Sequence, residues 1–276
     1  DEKKNVDVSY INTIRGCPYK CTYCASPFHW DRKTTRLRSP ESVIEEMIHL
    51  KENYWTASKY DYSASANISD KESLKIEDNT IVYFVDDVFT VHKKRVKKLI
   101  RMMIDQNLGM RWKCEARADH LDDEICELMA EAGCERVKLG FESGSNKILK
   151  QIEKLETREE MLKGAEMLKK AGVPFSGYFM TGFPGETDDD VRQTIDFAKQ
   201  IDADYYSLSV LAPYYGTELY NQLIKNGHAL DKQPWEYFFH QSPKPMVNDK
   251  ISKEVLKEYL SLSDLNKNNK KKRGYI

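Results

Sequence analysis

Apolar residues along this 276-residue chain recur in two alternating rhythms. Short runs, either continuous or of period two, read as strands. Longer stretches with apolar residues every three or four positions read as amphipathic helices. A first strand is predicted over residues 8–14. The next helix has Ser39 as N-cap, Pro40 in its first turn and Glu41 near the positive end of its dipole. Its apolar positions are Val43, Ile44, Met47, Ile48 and Leu50. The run Ile81-Val-Tyr-Phe-Val85 is continuous, as in strands buried on both faces. Residues 93–106 read as a helix. A strand over 111–117 alternates strictly, with Trp112, Cys114 and Ala116 on one face and Lys113, Glu115 and Arg117 on the other. A helix over 122–132 and a strand over 136–141 follow, and Lys138, Gly140 and Glu142 share one face. One long helical region ends at Gly172. A strand over 174–181, a helix over 187–200, a strand over 205–211 and a short helix after Thr217 complete the series.

Strands alternating with helices predict βαβ units around a parallel sheet. The expected fold is α/β, a partial six-stranded parallel (βα)6 barrel of TIM type over residues 1–227. A helical and irregular C-terminal extension is expected over 228–276. There the rhythm is lost, and Trp235, Tyr237, Phe238 and Phe239 cluster between turn formers, where they would cover the barrel's open end or seal its lateral gap. A helix over 253–265 is expected to pack Val255, Leu256, Tyr259, Leu260 and Leu262 on the barrel exterior. The polar, Ser-rich stretch 56–79 reads as an insertion at the amino-end face, and the basic run 270–273 as a solvated tail.

Composition narrows the class. Hydrophobic residues make up 40%, charged residues 32%, and the formal net charge is -1, so a polyanionic partner such as nucleic acid is not expected. No apolar stretch approaches a membrane span, and no signal peptide is read at the N-terminus. Six cysteines with three in one loop do not read as a disulfide framework. The expected compartment is reducing, the cytoplasm. The chain starts at Asp1, close to its first strand, which reads as a piece of a longer protein.

The chemistry concentrates in Arg15-Gly-Cys-Pro-Tyr-Lys-Cys-Thr-Tyr-Cys24, where Cys17, Cys21 and Cys24 make a C-x3-C-x2-C cluster. Three thiolates on one loop can hold three irons of a [4Fe–4S] cube, which leaves the fourth iron open for chemistry. The competing reading is a non-catalytic zinc-binding or RNA-associated module, with His29 completing a Cys3His site, since thiolates suit both metals. Cys114, Cys126 and Cys134 read as buried packing groups.

The other unusual motifs fall at the carboxyl ends of the predicted strands, where barrels of this type place their active sites. Strand two stops at Asp86-Asp87, which could bind a ligand or simply cap a helix. Strand three ends at Arg117, a fixed cation. Strand four ends in Gly140-Phe-Glu-Ser-Gly144, where Glu142 could accept hydrogen bonds and Gly144 could admit a ligand close to the backbone. Strand five closes with Thr181-Gly-Phe-Pro-Gly-Glu-Thr187, and strand six leads to Ala212-Pro-Tyr-Tyr-Gly-Thr217.

With the aromatic Tyr23 before the last cysteine, the loop resembles the signature of the radical S-adenosylmethionine (SAM) superfamily. The likeness extends from Val8 to about Tyr220. It is nearest in flavour to the branch often fused to an N-terminal cobalamin-binding domain, on the motifs at 15–18, 38–41, 84–87, 140–144 and 182–186. The resemblance implies an enzyme that cleaves SAM reductively to a 5'-deoxyadenosyl radical for C–H activation, and in that branch cobalamin-dependent methylation, cyclisation or rearrangement of a small molecule. It implies Cys17, Cys21 and Cys24 as iron ligands. It implies Tyr23, Asp86 or Asp87, Arg117, Glu142, Ser143, Gly182, Gly185 and Pro213 at the SAM site. Cofactors would be a [4Fe–4S] cluster, SAM and, where the upstream domain exists, cobalamin. An electron donor such as flavodoxin or ferredoxin is the implied partner.

Overall fold

The computed structural model describes residues 8–30, 35–55, 81–238 and 245–266. Six strands form one sheet: β1 (Val8–Ile11), β4 (Ile81–Phe84), β5 (Arg111–Ala116), β6 (Cys134–Glu142), β7 (Phe175–Thr181) and β8 (Tyr205–Val210). Their spatial order is their chain order and every pairing is parallel. Each crossover therefore steps to the next strand, as right-handed βαβ units require. The sheet is the expected six-stranded partial barrel, with β1 and β8 at its edges.

The crossover helices are α2 (Pro40–Leu50), α3 (Lys93–Asp105), α4 (Asp123–Glu131), α6 (Arg158–Ala171) and α7 (Asp188–Ile201). Side-chain oxygens start most of them. Ser39 accepts from the Ser42 N–H and Asp122 from the Ile125 N–H. Thr157 and Thr187 form capping boxes with Glu160 and Asp190. Gly172, at φ 72°, ends α6 in the left-handed conformation that costs glycine least. The apolar core lies between these helices and the sheet. Trp112 is fully buried there, edge-on to Phe84 at 5.5 Å, and its indole donates to the Ala132 carbonyl at 2.8 Å.

Three expected elements are corrected. The predicted first strand breaks after Ile11; Ile14–Arg15 form a separate β2, antiparallel to β3 (Arg36–Leu37). The break follows from Asp86, whose carboxylate draws in the N–H groups of Thr13 and Ile14 at 2.6 and 2.8 Å and so turns the chain out of the sheet. The long helical region splits into α5 (Asn146–Gln151) and α6, joined by residues 152–157. Finally, α9 (Lys253–Ser261) passes into a 3-10 turn over Leu262–Asp264, and its Leu260 stays 37% exposed rather than packed.

The remaining face of α9 packs as expected. Val255 and Tyr259 are buried in the main core, and the Tyr259 hydroxyl donates to the Ser209 carbonyl at 3.2 Å. A second apolar cluster joins Ile148, Phe183, Leu211, Leu223 and Leu230, with Tyr23 and Phe238 packed against it. Residues 56–79, Phe239 and the basic run 270–273 lie outside the described residues, as does the side chain of Trp235.

Candidate active site

Between β2 and α1 (Ser26–His29) the chain forms the cysteine loop. Gly16 enters it at φ 92°, a value few other residues adopt readily. Two backbone bonds fix its middle: the Thr22 N–H donates to the Ile152 carbonyl at 3.0 Å, and the Thr22 carbonyl accepts from the Leu219 N–H at 2.8 Å. Tyr23 meets Phe183 edge-on at 5.9 Å. The loop is thus held by the end of α5 and by α8 (Glu218–Lys225).

Cys17, Cys21 and Cys24 are free thiols, and all three line one cavity of about 340 Å³ at the carboxyl end of the barrel. The same cavity is walled by Tyr19, Tyr23, Asp87, Arg117, Gly140 and Glu142. Among the described residues, no three His, Cys, Asp or Glu side chains converge as they would around one metal ion. Three thiols on the wall of one cavity could each meet a separate corner iron of a cube. His29 is exposed on α1 and does not line this cavity. Burial raises all three thiols, Cys24 up to about 12. The Ser26 N–H, 3.4 Å from the Cys24 sulfur, and the cations Lys154 and Arg117 push the other way. Thiols must lose these protons to solvent to become metal ligands, so metal binding would release acid. The donor set fits a cluster.

The structure sorts the expected SAM-site residues. Asp87 faces the cavity, whereas Asp86 does not: it is 1% exposed and its carboxylate is taken up by Thr13 and Ile14, including the Thr13 hydroxyl at 2.5 Å. Asp86 therefore anchors the entry to the cysteine loop. Ser143 is likewise buried, its hydroxyl 3.0 Å from that of Thr194. Gly144 admits α7, not a ligand: a β-carbon there would fall 2.4 Å from the Gln193 carbonyl oxygen. Gly182 and Gly185, at φ 95° and 73°, shape a turn around Glu186. That carboxylate accepts from the Thr181 hydroxyl and the N–H groups of Gly182 and Phe183. Neither glycine, nor the buried Pro213, lines the cysteine cavity; Met180 and Ser209 do so from those strands.

An ionic network that the sequence pattern does not reveal joins the site. Lys154, 6% exposed, lies in the α5–α6 turn between Glu153 and Leu155, both held at positive φ (54° and 55°). Its ammonium is 3.7 Å from Glu142 and 3.4 Å from Glu156. Burial lowers the Lys154 pKa, but Glu142 and Glu156 outweigh it and keep the ammonium charged. Arg117 donates to the Lys154 carbonyl at 2.9 Å, pairs with Asp119 at 3.0 Å, and lies 3.7 Å above the Tyr19 ring. Glu142 itself sits at φ 60°. Strain at Glu142 in the cavity wall, and at Glu153 and Leu155 on either side of Lys154, marks a surrounding structure that holds them there. The sequence does carry a signal for the turn: Thr157-Arg-Glu-Glu160 is a helix-start pattern that separates α6 from α5.

Residues 11–198 match the radical SAM superfamily. The chain belongs to that family. It is 32% identical over 93% of its length to an uncharacterized methyltransferase of Pyrococcus horikoshii, of which it covers 51%. It is 25% identical over 92% of its length to the bacteriochlorophyllide d C-12(1)-methyltransferase of Chlorobaculum tepidum, again covering 51%. Its fold resembles a radical SAM methyltransferase from Kitasatospora setae solved with cobalamin and a [4Fe–4S] cluster, at TM-score 0.63 and 20% identity. That likeness covers 80% of this chain and 37% of the other. The chain thus spans about half the length of the curated relatives it matches. As a family member it is a radical SAM enzyme, using a [4Fe–4S] cluster and SAM. This overturns the zinc-module alternative. Among the described residues, no helix is long and apolar enough to cross a membrane.

Proposed function

We propose that Cys17, Cys21 and Cys24 hold the cluster and that the cavity beside them receives SAM, for radical activation of a C–H bond in a small molecule. The observation that carries this reading is the shared cavity: all three thiols and the strand-end groups Asp87, Arg117 and Glu142 line it. When bound, the cluster would supply the electron that cleaves SAM to methionine and a 5'-deoxyadenosyl radical. The protein's part is placement. Glu142 and Asp87 are acceptors for the SAM ammonium or ribose hydroxyls, while Lys154 and Arg117 offset the negative charge of three thiolates. Tyr23 and Phe183 cover the loop with apolar surface and would keep water from a reactive radical.

The finer reading is cobalamin-dependent methylation, favoured over cyclisation or rearrangement by the two methyltransferase relatives and the cobalamin-bound neighbour. In this reading residues 1–227 are the catalytic core and 228–276 an extension packed on it. The cobalamin would come from a separate upstream domain, the electron from a flavodoxin or ferredoxin, and the setting would be the cytoplasm. The test is anaerobic reconstitution followed by dithionite reduction with SAM and no substrate. Formation of 5'-deoxyadenosine and methionine in step supports the reading. An iron-loaded, SAM-bound protein that yields neither refutes it.

A further inference from the structure

The barrel holds a second cavity at the opposite, amino end of its strands, of about 730 Å³. Its walls include Arg111, Lys113, Arg136, Lys138, Tyr178 and Asp204. Lys138 and Tyr178 also wall the cysteine cavity, so the two spaces meet at these residues inside the barrel.

Among the described residues, the charges around the lower cavity do not balance. Lys113 on β5 lies directly opposite Arg136 on β6, and like charges facing each other across a strand pair repel. Among the described residues Arg136 meets no carboxylate, while Lys113 meets the Tyr83 ring at 4.8 Å. The nearby carboxylates are engaged elsewhere. Glu135 pairs with Arg111, and Asp204 accepts from the Phe175 N–H at 2.9 Å. Glu115 accepts from the Tyr83 hydroxyl at 2.5 Å and lies 3.7 Å from Lys138. Burial, then Lys138 and Arg136, lower the Lys113 pKa, with Glu135 opposing them. Among the described residues these two facing cations have little to offset them beyond Glu135 and the Tyr83 ring at Lys113, and an anion between them would turn their repulsion into attraction.

We propose that this amino-end cavity seats a carboxylate or phosphate of the small-molecule substrate between Lys113 and Arg136, with the rest of that molecule passing Lys138 toward the cysteine cavity. Naming the ligand as substrate rests on the radical SAM site proposed above; the anion seat itself does not.

The experiment is thermal unfolding of the chain, iron-free and reconstituted, at constant ionic strength in chloride, inorganic phosphate or citrate. An anion at about a hundred times its Kd should raise Tm by about 5–10 °C over chloride. Phosphate acting alone identifies a phosphoryl group, and citrate acting alone a carboxylate. Lys113→Met and Arg136→Gln should each raise Tm in chloride and abolish the anion increment, while Arg136→Lys keeps it. An increment that persists in both neutral variants, or no increment over chloride in the unaltered chain, overturns the proposal. Because the iron-free protein is measured too, a failure of cluster assembly leaves the anion result standing.

Discussion

Asp86 and Asp87 are neighbours in sequence but do different work, and replacing each by alanine separates the two. Asp86 is 1% exposed and accepts from two backbone N–H groups and one hydroxyl. Asp86→Ala strands all three donors in a site closed to water. A buried donor left unpaired costs about 1–3 kcal/mol, so the gross loss is roughly 3–9 kcal/mol. Relief of the buried carboxylate's desolvation, which raises its pKa, returns part of this. A net loss of about 3–4 kcal/mol corresponds to a fall in Tm of roughly 10 °C for a chain of this size. Asp86→Asn should cost clearly less, because Oδ1 alone takes both backbone N–H groups and the new amide N–H faces only the Thr13 hydroxyl, which can accept. Asp87, half-exposed on the cavity wall, should cost under about 0.5 kcal/mol when truncated. Thermal unfolding of the three iron-free variants decides it. A Tm for Asp86→Ala within about 2 °C of the parent would refute the anchoring role.

Other outcomes follow from the same geometry. Glu142→Ala should leave iron content intact and weaken SAM binding about ten- to a hundredfold by equilibrium dialysis, the loss of one charge-assisted hydrogen bond; unchanged affinity would assign Glu142 to the fold. Glu186 is pushed by burial from 4.5 to about 7, with backbone donors opposing the rise. The folded chain thus binds its proton more tightly than the unfolded one, and stability should fall as pH rises from about 4.5 to about 7, then level off. Glu186→Gln should remove that slope in urea titrations, and a persisting slope would point to another group. Replacing Cys114, Cys126 or Cys134 by alanine should cost stability on the order of a kcal/mol and no iron; iron loss in any of them would reassign the ligands.

The strands were legible because a parallel sheet buried against helices demands apolar runs, as Ile81–Phe84 shows, or strict alternation, as Arg111–Ala116 shows. The cysteine loop was legible because its chemistry lies in close spacing. Long-range partners were not. Nothing local says that Asp86 reaches back to Thr13, since that bond spans 73 residues. Lys154 was hidden by an apparently continuous helix, and its partners Glu142 and Arg117 come from two separate strand ends. Gly144 shows the same limit: a glycine signals close approach, but the sequence could not say that the approaching group is Gln193 of α7.

Electron paramagnetic resonance of the reduced, anaerobically reconstituted chain, with and without SAM, tests the open-iron cluster most directly. A [4Fe–4S] signal should appear, and its spectrum should change when SAM is added, because the iron without a cysteine ligand takes it up. Cys21→Ala should lose that signal. A spectrum indifferent to SAM, or one retained in full by Cys21→Ala, would contradict the assignment of a three-cysteine cluster with an open iron.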